Sequence, residues 1–207
     1  MSEQQPTPQT THPGAQAGRA SGFDLSREGR TADGSVRVAL ERNRMFAAAQ
    51  GHQGAVVFPN LRLFVITCLD PRTDPAHFLG LGVSDAMVLR NVGGLVTPEV
   101  INNVAYISQL AELAVPDGPL FEVAVIHHTQ CGTGALADDG FRQRYAERIG
   151  ADESQLRDDA IIDPSVTVVR HVDRLRAASA ISARVTFSGH VYDVVTGLVE
   201  TVVPATG

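Results

Sequence analysis

The chain has 207 residues, of which 43% are hydrophobic and 19% charged, enough apolar material for one domain with a real core. Its net charge of −6 argues against a nucleic-acid backbone or an anionic membrane surface as the main partner. All 17 basic residues are arginine, which removes the ammonium that a Walker A loop or a Schiff base needs, and two cysteines are too few for a disulfide scaffold.

Residues 1–34 are rich in Gln, Thr, Pro, Gly, Ala and Ser and poor in large apolar side chains. Such a segment buries too little surface to offset its ordering entropy. It reads as a disordered tail, or as an arm that orders only across a partner subunit. It lacks the apolar stretch of a secretory signal, and no apolar run approaches the roughly 18 residues of a membrane span. A soluble, cytoplasmic protein is therefore expected, with residues 35–207 forming a single domain.

That domain opens on SVRVALERNRMFAAAQG, where Val38, Leu40, Met45 and Phe46 loosely fit one helical face and Gly51 is a stop. LRLFVITC, residues 61–68, is short, β-branched and nearly all apolar, as a strand buried on both faces is. A polar loop, DPRTDPAHF, leads to a second strand, DAMVLRNVGG. Residues 98–114 read as a helix with Pro98 in its first turn. FEVAVIHH, residues 121–128, is a third buried strand. Helices are expected near 137–149 and 165–179, with 152–159 readable as helix or loop. The end of the chain reads as two strands around a turn at Thr196-Gly197. The alternation predicts an α/β domain, a mostly parallel central sheet flanked by helices.

Ligands of such sheets bind beyond the carboxyl ends of the strands, and the chemically distinctive residues fall there. One strand runs into Cys68-Leu69-Asp70-Pro71-Arg72 and another into His127-His128-Thr129-Gln130-Cys131-Gly132. Cys68, His128 and Cys131 are a soft donor set that suits zinc, with a fourth position free for water or substrate. Zinc lowers the pKa of a bound water from about 15.7 to about 7. On spacing alone, two buried thiols or a disulfide remain open alternatives. Asp70 beside Arg72 favours an ionised carboxylate that could hydrogen-bond a zinc-bound hydroxide or become a fourth ligand; a structural ion pair is the plainer reading. Adjacent strand residues point to opposite faces, so only one of His127 and His128 faces a metal.

C-L-D-P-R followed by H-T-Q-C-G resembles the paired signature of the β-class carbonic anhydrases, C-x-D-x-R and H-x-x-C-G. ALERNRMF, RNVGG at 90–94 and GHVYDVVTGLVE at 189–200 resemble further elements of that family, and the resemblance runs over about residues 36 to 202. It implies that Cys68, His128 and Cys131 bind zinc and that Asp70 and Arg72 form the active-site dyad, with backbone near Gly93 and Gly94 lining a small pocket. It implies reversible hydration of carbon dioxide to bicarbonate and a proton through zinc-bound hydroxide. The alternatives are hydrolysis of carbon disulfide or carbonyl sulfide on the same scaffold, or a non-catalytic zinc-binding homologue. Members occur with Asp paired to Arg, and some also in a closed form with Asp on the metal. The family implies a homodimer or an assembly of dimers. Departures are His127 where many members carry Gly, Pro71 where Ser is frequent, and the absence of Trp. The family spacing selects His128 as ligand and leaves His127 as a hydrogen-bonded core histidine.

Gly132 to Ala137 also reads G-x-G-x-x-A, a dinucleotide-type fingerprint, but the acidic residue that should follow is unconvincing. His52, His77, His171 and His190 read as surface or capping residues, and Arg170, Arg174 and Arg176 as a solvated helix edge.

Overall fold

The computed structural model describes residues 35–206, so the expectations for residues 1–34 lie outside the described chain. Five strands form one sheet in the order β2-β1-β3-β4-β5. They are β1 (Leu63–Cys68), β2 (Ala86–Asn91), β3 (Glu122–His128), β4 (Thr186–Tyr192) and β5 (Val199–Thr206). The first four run parallel and β5 returns antiparallel to β4. β1 and β3 are buried along nearly their whole length, which explains their unbroken apolar sequence.

Six helices accompany the sheet among the described residues: α1 (Ser35–Ala48), α2 (Pro75–Phe78), α3 (Pro98–Ala114), α4 (Asp139–Ile149), α5 (Glu153–Asp158) and α6 (Pro164–Arg176). The helix expected at 98–114 is found at those residues. Pro98 opens it, and the Thr97 hydroxyl accepts from the Val100 N–H at 3.3 Å. The stretch that reads as helix or loop supplies α5.

The connections set up the site. α2 follows β1 and packs, through Phe78 and Leu79, on the sheet face that carries Val65, Ala124 and Ile126. α3 and α6 cover the opposite face, where Val100, Val104, Val168, Val172 and Leu175 join Phe64, Ile66, Val123 and Val125. The chain leaves β1 toward one side of the sheet and returns from β2 to β3 across it. The loops after β1 and β3 therefore diverge, which opens a crevice at the carboxyl ends of these two strands. Among the described residues no helix is long and apolar enough to cross a membrane.

One expectation is extended and one is corrected. α1 forms, but every described side chain from residue 36 to 57 is exposed, including Val38, Leu40, Met45 and Phe46. Its apolar residues add nothing to the core of this chain. His171 is not a surface residue but is 1% exposed. The inward stripe of α6 is Thr167, Val168, His171, Val172 and Leu175, so helical periodicity carries His171 against the sheet.

There His171 meets His127, with His127 Nε2 3.1 Å from His171 Nδ1. The Val96 N–H also donates to His171 Nδ1, at 3.3 Å. Nδ1 of His171 is thus an acceptor, and His127 donates through Nε2–H. Burial, foremost, pushes His171 down to about 3, so it is neutral when folded. The unfolded chain then binds more protons, and this contribution to stability is present above the ordinary histidine pKa near 6.5 and is lost as pH falls toward 3. His171→Asn keeps an acceptor for Val96 without the titrating ring. Chemical denaturation at pH 6.5, 5.5 and 4.5 should show the wild type losing stability more steeply than this variant, by up to about 1.4 kcal/mol per pH unit.

Candidate metal centre

β1 ends at Cys68 and β3 at His128, so both side chains stand at the crevice. Cys131 folds back into it from the turn beyond His128. Cys68, His128 and Cys131 bring their donor atoms within 4.8 Å of one another, and all three residues are buried.

The imidazole is prepared for a cation. His128 Nδ1 lies 2.9 Å from the Thr129 carbonyl oxygen, which can only accept, so Nδ1 carries the proton. Nε2 is then a bare lone pair, buried and without a hydrogen-bond partner. A buried acceptor left unmade costs about 1–3 kcal/mol, which a cation on that lone pair would offset. His127 Nδ1 is likewise without a partner, but it stands outside the cluster, on the face occupied by His171. Strand alternation thus separates the two histidines as their spacing predicts.

The two sulfurs are close enough to shift each other's ionisation in opposite directions. Cys131 is the largest influence lowering Cys68, which falls to about 4 despite burial, with the Asp70 N–H also contributing. The Asp70 N–H lies 3.4 Å from Cys68 Sγ. Cys68, with burial, pushes Cys131 up. Two sulfurs and one imidazole nitrogen are the donor set that zinc accepts.

Asp70 stands outside this cluster, held by Arg72. Arg72 Nη2 donates to Asp70 Oδ2 at 2.6 Å, Nε to Oδ1 at 3.0 Å, and the Arg72 N–H to Oδ1 at 2.9 Å. The Arg72 guanidinium holds the Asp70 carboxyl below its ordinary range. Pro71 starts the short 3-10 turn, Pro71–Thr73, that sets this geometry. Arg72 also donates to the Gln130 carbonyl oxygen at 3.1 Å and to Gln130 Oε1 at 3.3 Å, which ties the loop after β1 to the loop after β3. Gln130 itself adopts φ +57°.

Gly93 and Gly94 are buried and both have positive φ. A Cβ on Gly94 would sit 2.8 Å from the Thr67 carbonyl carbon and 3.0 Å from the Cys68 nitrogen. Asn91 closes this turn by donating to the Leu95 carbonyl and accepting from its N–H, both at 2.8 Å. Arg90 reaches back to the carbonyls of Cys68 at 2.9 Å and Asp70 at 2.7 Å. Leu95 and Ile161 pack with the two cysteines as an apolar wall. Sequence reasoning assigned no role to Arg90, Gln130, Leu95 or Ile161; only the RNVGG and HTQCG segments drew attention to the first two. The G-x-G-x-x-A segment forms a 3-10 turn, Gly132–Ala137, in which the Gly134 N–H donates to the Cys131 carbonyl at 3.0 Å. Its glycines serve the turn beside Cys131 and open no dinucleotide-binding helix.

A doubly wound sheet carries a buried Cys–His–Cys cluster and an Asp–Arg pair at its switch point, an α/β arrangement whose donor atoms could hold a metal ion. The sequence matches the carbonic anhydrase family over residues 63–199, and the chain belongs to the β-class carbonic anhydrases. Beta-carbonic anhydrase 1 of Mycobacterium tuberculosis is 28% identical over 160 residues, covering 75% of this chain and 91% of that one. A carbon disulfide hydrolase of Acidianus is 27% identical over 160 residues, covering 66% of this chain and 75% of the hydrolase. The crystal structure of the carbonic anhydrase from Streptococcus mutans superposes with a TM-score of 0.68 at 28% identity, covering 81% of this chain and 96% of that one.

Gly94→Ala tests the close approach at the end of β1. The positive φ and the backbone overlap together should cost about 2 kcal/mol or more, read as a lowered denaturant midpoint.

Proposed function

We propose that this chain is a zinc enzyme that reversibly hydrates carbon dioxide to bicarbonate and a proton. The observation that carries this reading is the bare, buried Nε2 of His128 facing two sulfurs. Cys68, His128 and Cys131 would hold the ion. Zinc, when bound, would act as a Lewis acid that makes a hydroxide nucleophile available at neutral pH. Asp70, ionised, accepts a hydrogen bond from the attacking oxygen and so aims its lone pair at the carbon of the substrate. Arg72 holds Asp70 in that role. Its two-pronged grip matches the arrangement in which Asp is paired to Arg, and Asp70 would reach the metal only by breaking it. Leu95 and Ile161 offer an apolar wall for a small linear substrate, with the main chain of Gly93 and Gly94 beside it.

The relatives that are carbon disulfide hydrolases, at 25–29% identity, give a second reading with a different linear substrate and the same residues. Stopped-flow hydration of carbon dioxide by the zinc-loaded protein, from pH 6.5 to 9, decides between them. We expect activity that rises with pH and disappears on chelation. Cys68→Ser and His128→Ala should lose bound zinc, measured by metal analysis. Arg72→Ala should keep zinc and lose about 100-fold or more in kcat/KM through misplacement of Asp70. Hydrolysis of carbon disulfide without hydration of carbon dioxide would overturn the first reading in favour of the second.

We also propose a cytoplasmic homodimer, in keeping with free thiols as ligands and with the exposed apolar side chains of α1. Phe46 and Leu40 are 41% and 51% exposed in the single chain. Light scattering of the eluting protein should give a dimer mass, and Leu40→Asp with Phe46→Asp should shift it to the monomer.

A further inference from the structure

We propose that Thr133 is a positioning residue of the metal centre: its hydroxyl donates a hydrogen bond to Cys131 Sγ and fixes that sulfur as a ligand. The inference rests on the metal reading above and deepens it. Thr133 Oγ1 lies 3.1 Å from Cys131 Sγ, and Thr133 is 6% exposed. A sulfur that coordinates a metal is a thiolate and has no proton to give, so the hydroxyl must be the donor.

The hydroxyl is aimed by packing. Thr133 is β-branched and stiff about χ1. Its Cγ2 methyl lies only 3.0 Å from where a Cβ on Gly93 would stand. The absence of a side chain at 93 makes room for the methyl, and the methyl seated there directs the hydroxyl toward Cys131. The two sulfurs are thus served differently. Cys68 receives the Asp70 main-chain N–H at 3.4 Å, whereas Cys131 depends on a side chain that one substitution removes. Partners of this kind orient metal ligands, and their loss typically costs about 10–100-fold in metal affinity.

Thr133→Val keeps the methyl against Gly93 and deletes the donor. Thr133→Ser keeps the donor and deletes the methyl, and Thr133→Ala is a second variant without a donor should valine disturb the turn. Two quantities are read on the full chain: zinc affinity by competition with a chromophoric chelator, and the sulfur-to-metal charge-transfer band of the cobalt(II)-loaded protein. Valine and alanine should weaken zinc binding by about tenfold or more and move the band to longer wavelength, because a thiolate without a hydrogen bond is easier to oxidise. Serine should keep the wild-type affinity and band. A role limited to packing would leave the band in place. Donor-free variants with wild-type affinity and band position overturn this inference alone. A wild-type protein that takes up neither zinc nor cobalt overturns the metal reading and this inference together.

Discussion

The turn at Gly93-Gly94 passes so close to the end of β1 that only hydrogen fits on the Gly94 α-carbon, and the site depends on that approach. Cys68 pairs in register with Asn91, so the residues that follow β2 are level with those that follow β1. An edge strand thereby becomes a template for the loop beside it. Arg90 grips the Cys68 and Asp70 carbonyls from below, Asn91 closes the turn, and the glycine main chain presses on Thr67 and Cys68 from the side. A metal ligand at the end of a strand is otherwise at the start of a loop and free to wander. Here Arg90 of the neighbouring strand and the glycine turn after it hold it.

Charge is arranged around the same point. Two thiols and a carboxylate crowd one end of the sheet, and two thiolates and Asp70 together would carry more negative charge than a buried site tolerates unpaired. Arg72 meets that demand from the solvent side, with its side chain 42% exposed and that of Asp70 10% exposed. Because Arg72 also grips Gln130, a single cation fixes Asp70 and ties together the two loops that carry the sulfurs. The left-handed conformation of Gln130, a strained choice for a residue with a side chain, turns the chain there so that its carbonyl meets Arg72.

Much of this was legible in the sequence because it is local. Unbroken apolar runs marked β1 and β3 as buried strands, and strand ends located Cys68, Asp70, Arg72, His128 and Cys131. Alternation put His127 and His128 on opposite faces, and the family spacing selected His128 as the ligand. The rest needed contacts between distant segments. Ile161 meets the cysteines from 30 and 93 residues further along the chain, and no spacing announces it. His171 was misread because a histidine counts as polar in a helical pattern, although its neighbours at 167, 168, 172 and 175 define the stripe it belongs to. Spacing could not decide between buried thiols and a metal; the proton on His128 Nδ1, fixed by a carbonyl, and the empty lone pair it leaves on Nε2 weigh for the metal.

α1 and His128 are incomplete in one shared sense: each presents a group that the folded chain leaves without its complement, apolar surface in water for α1 and a buried lone pair for His128. They differ in what they specify. A lone pair is directional, and two sulfurs beside it narrow the partner to a soft cation of tetrahedral habit. An exposed apolar helix is satisfied by any surface of matching shape, since burial of apolar area has no direction. The sequence pattern of α1 therefore told that a helix with a loose apolar face forms, and left open what that face meets. Periodicity reports that a face wants burial, and the identity of the surface that buries it lies outside the helix.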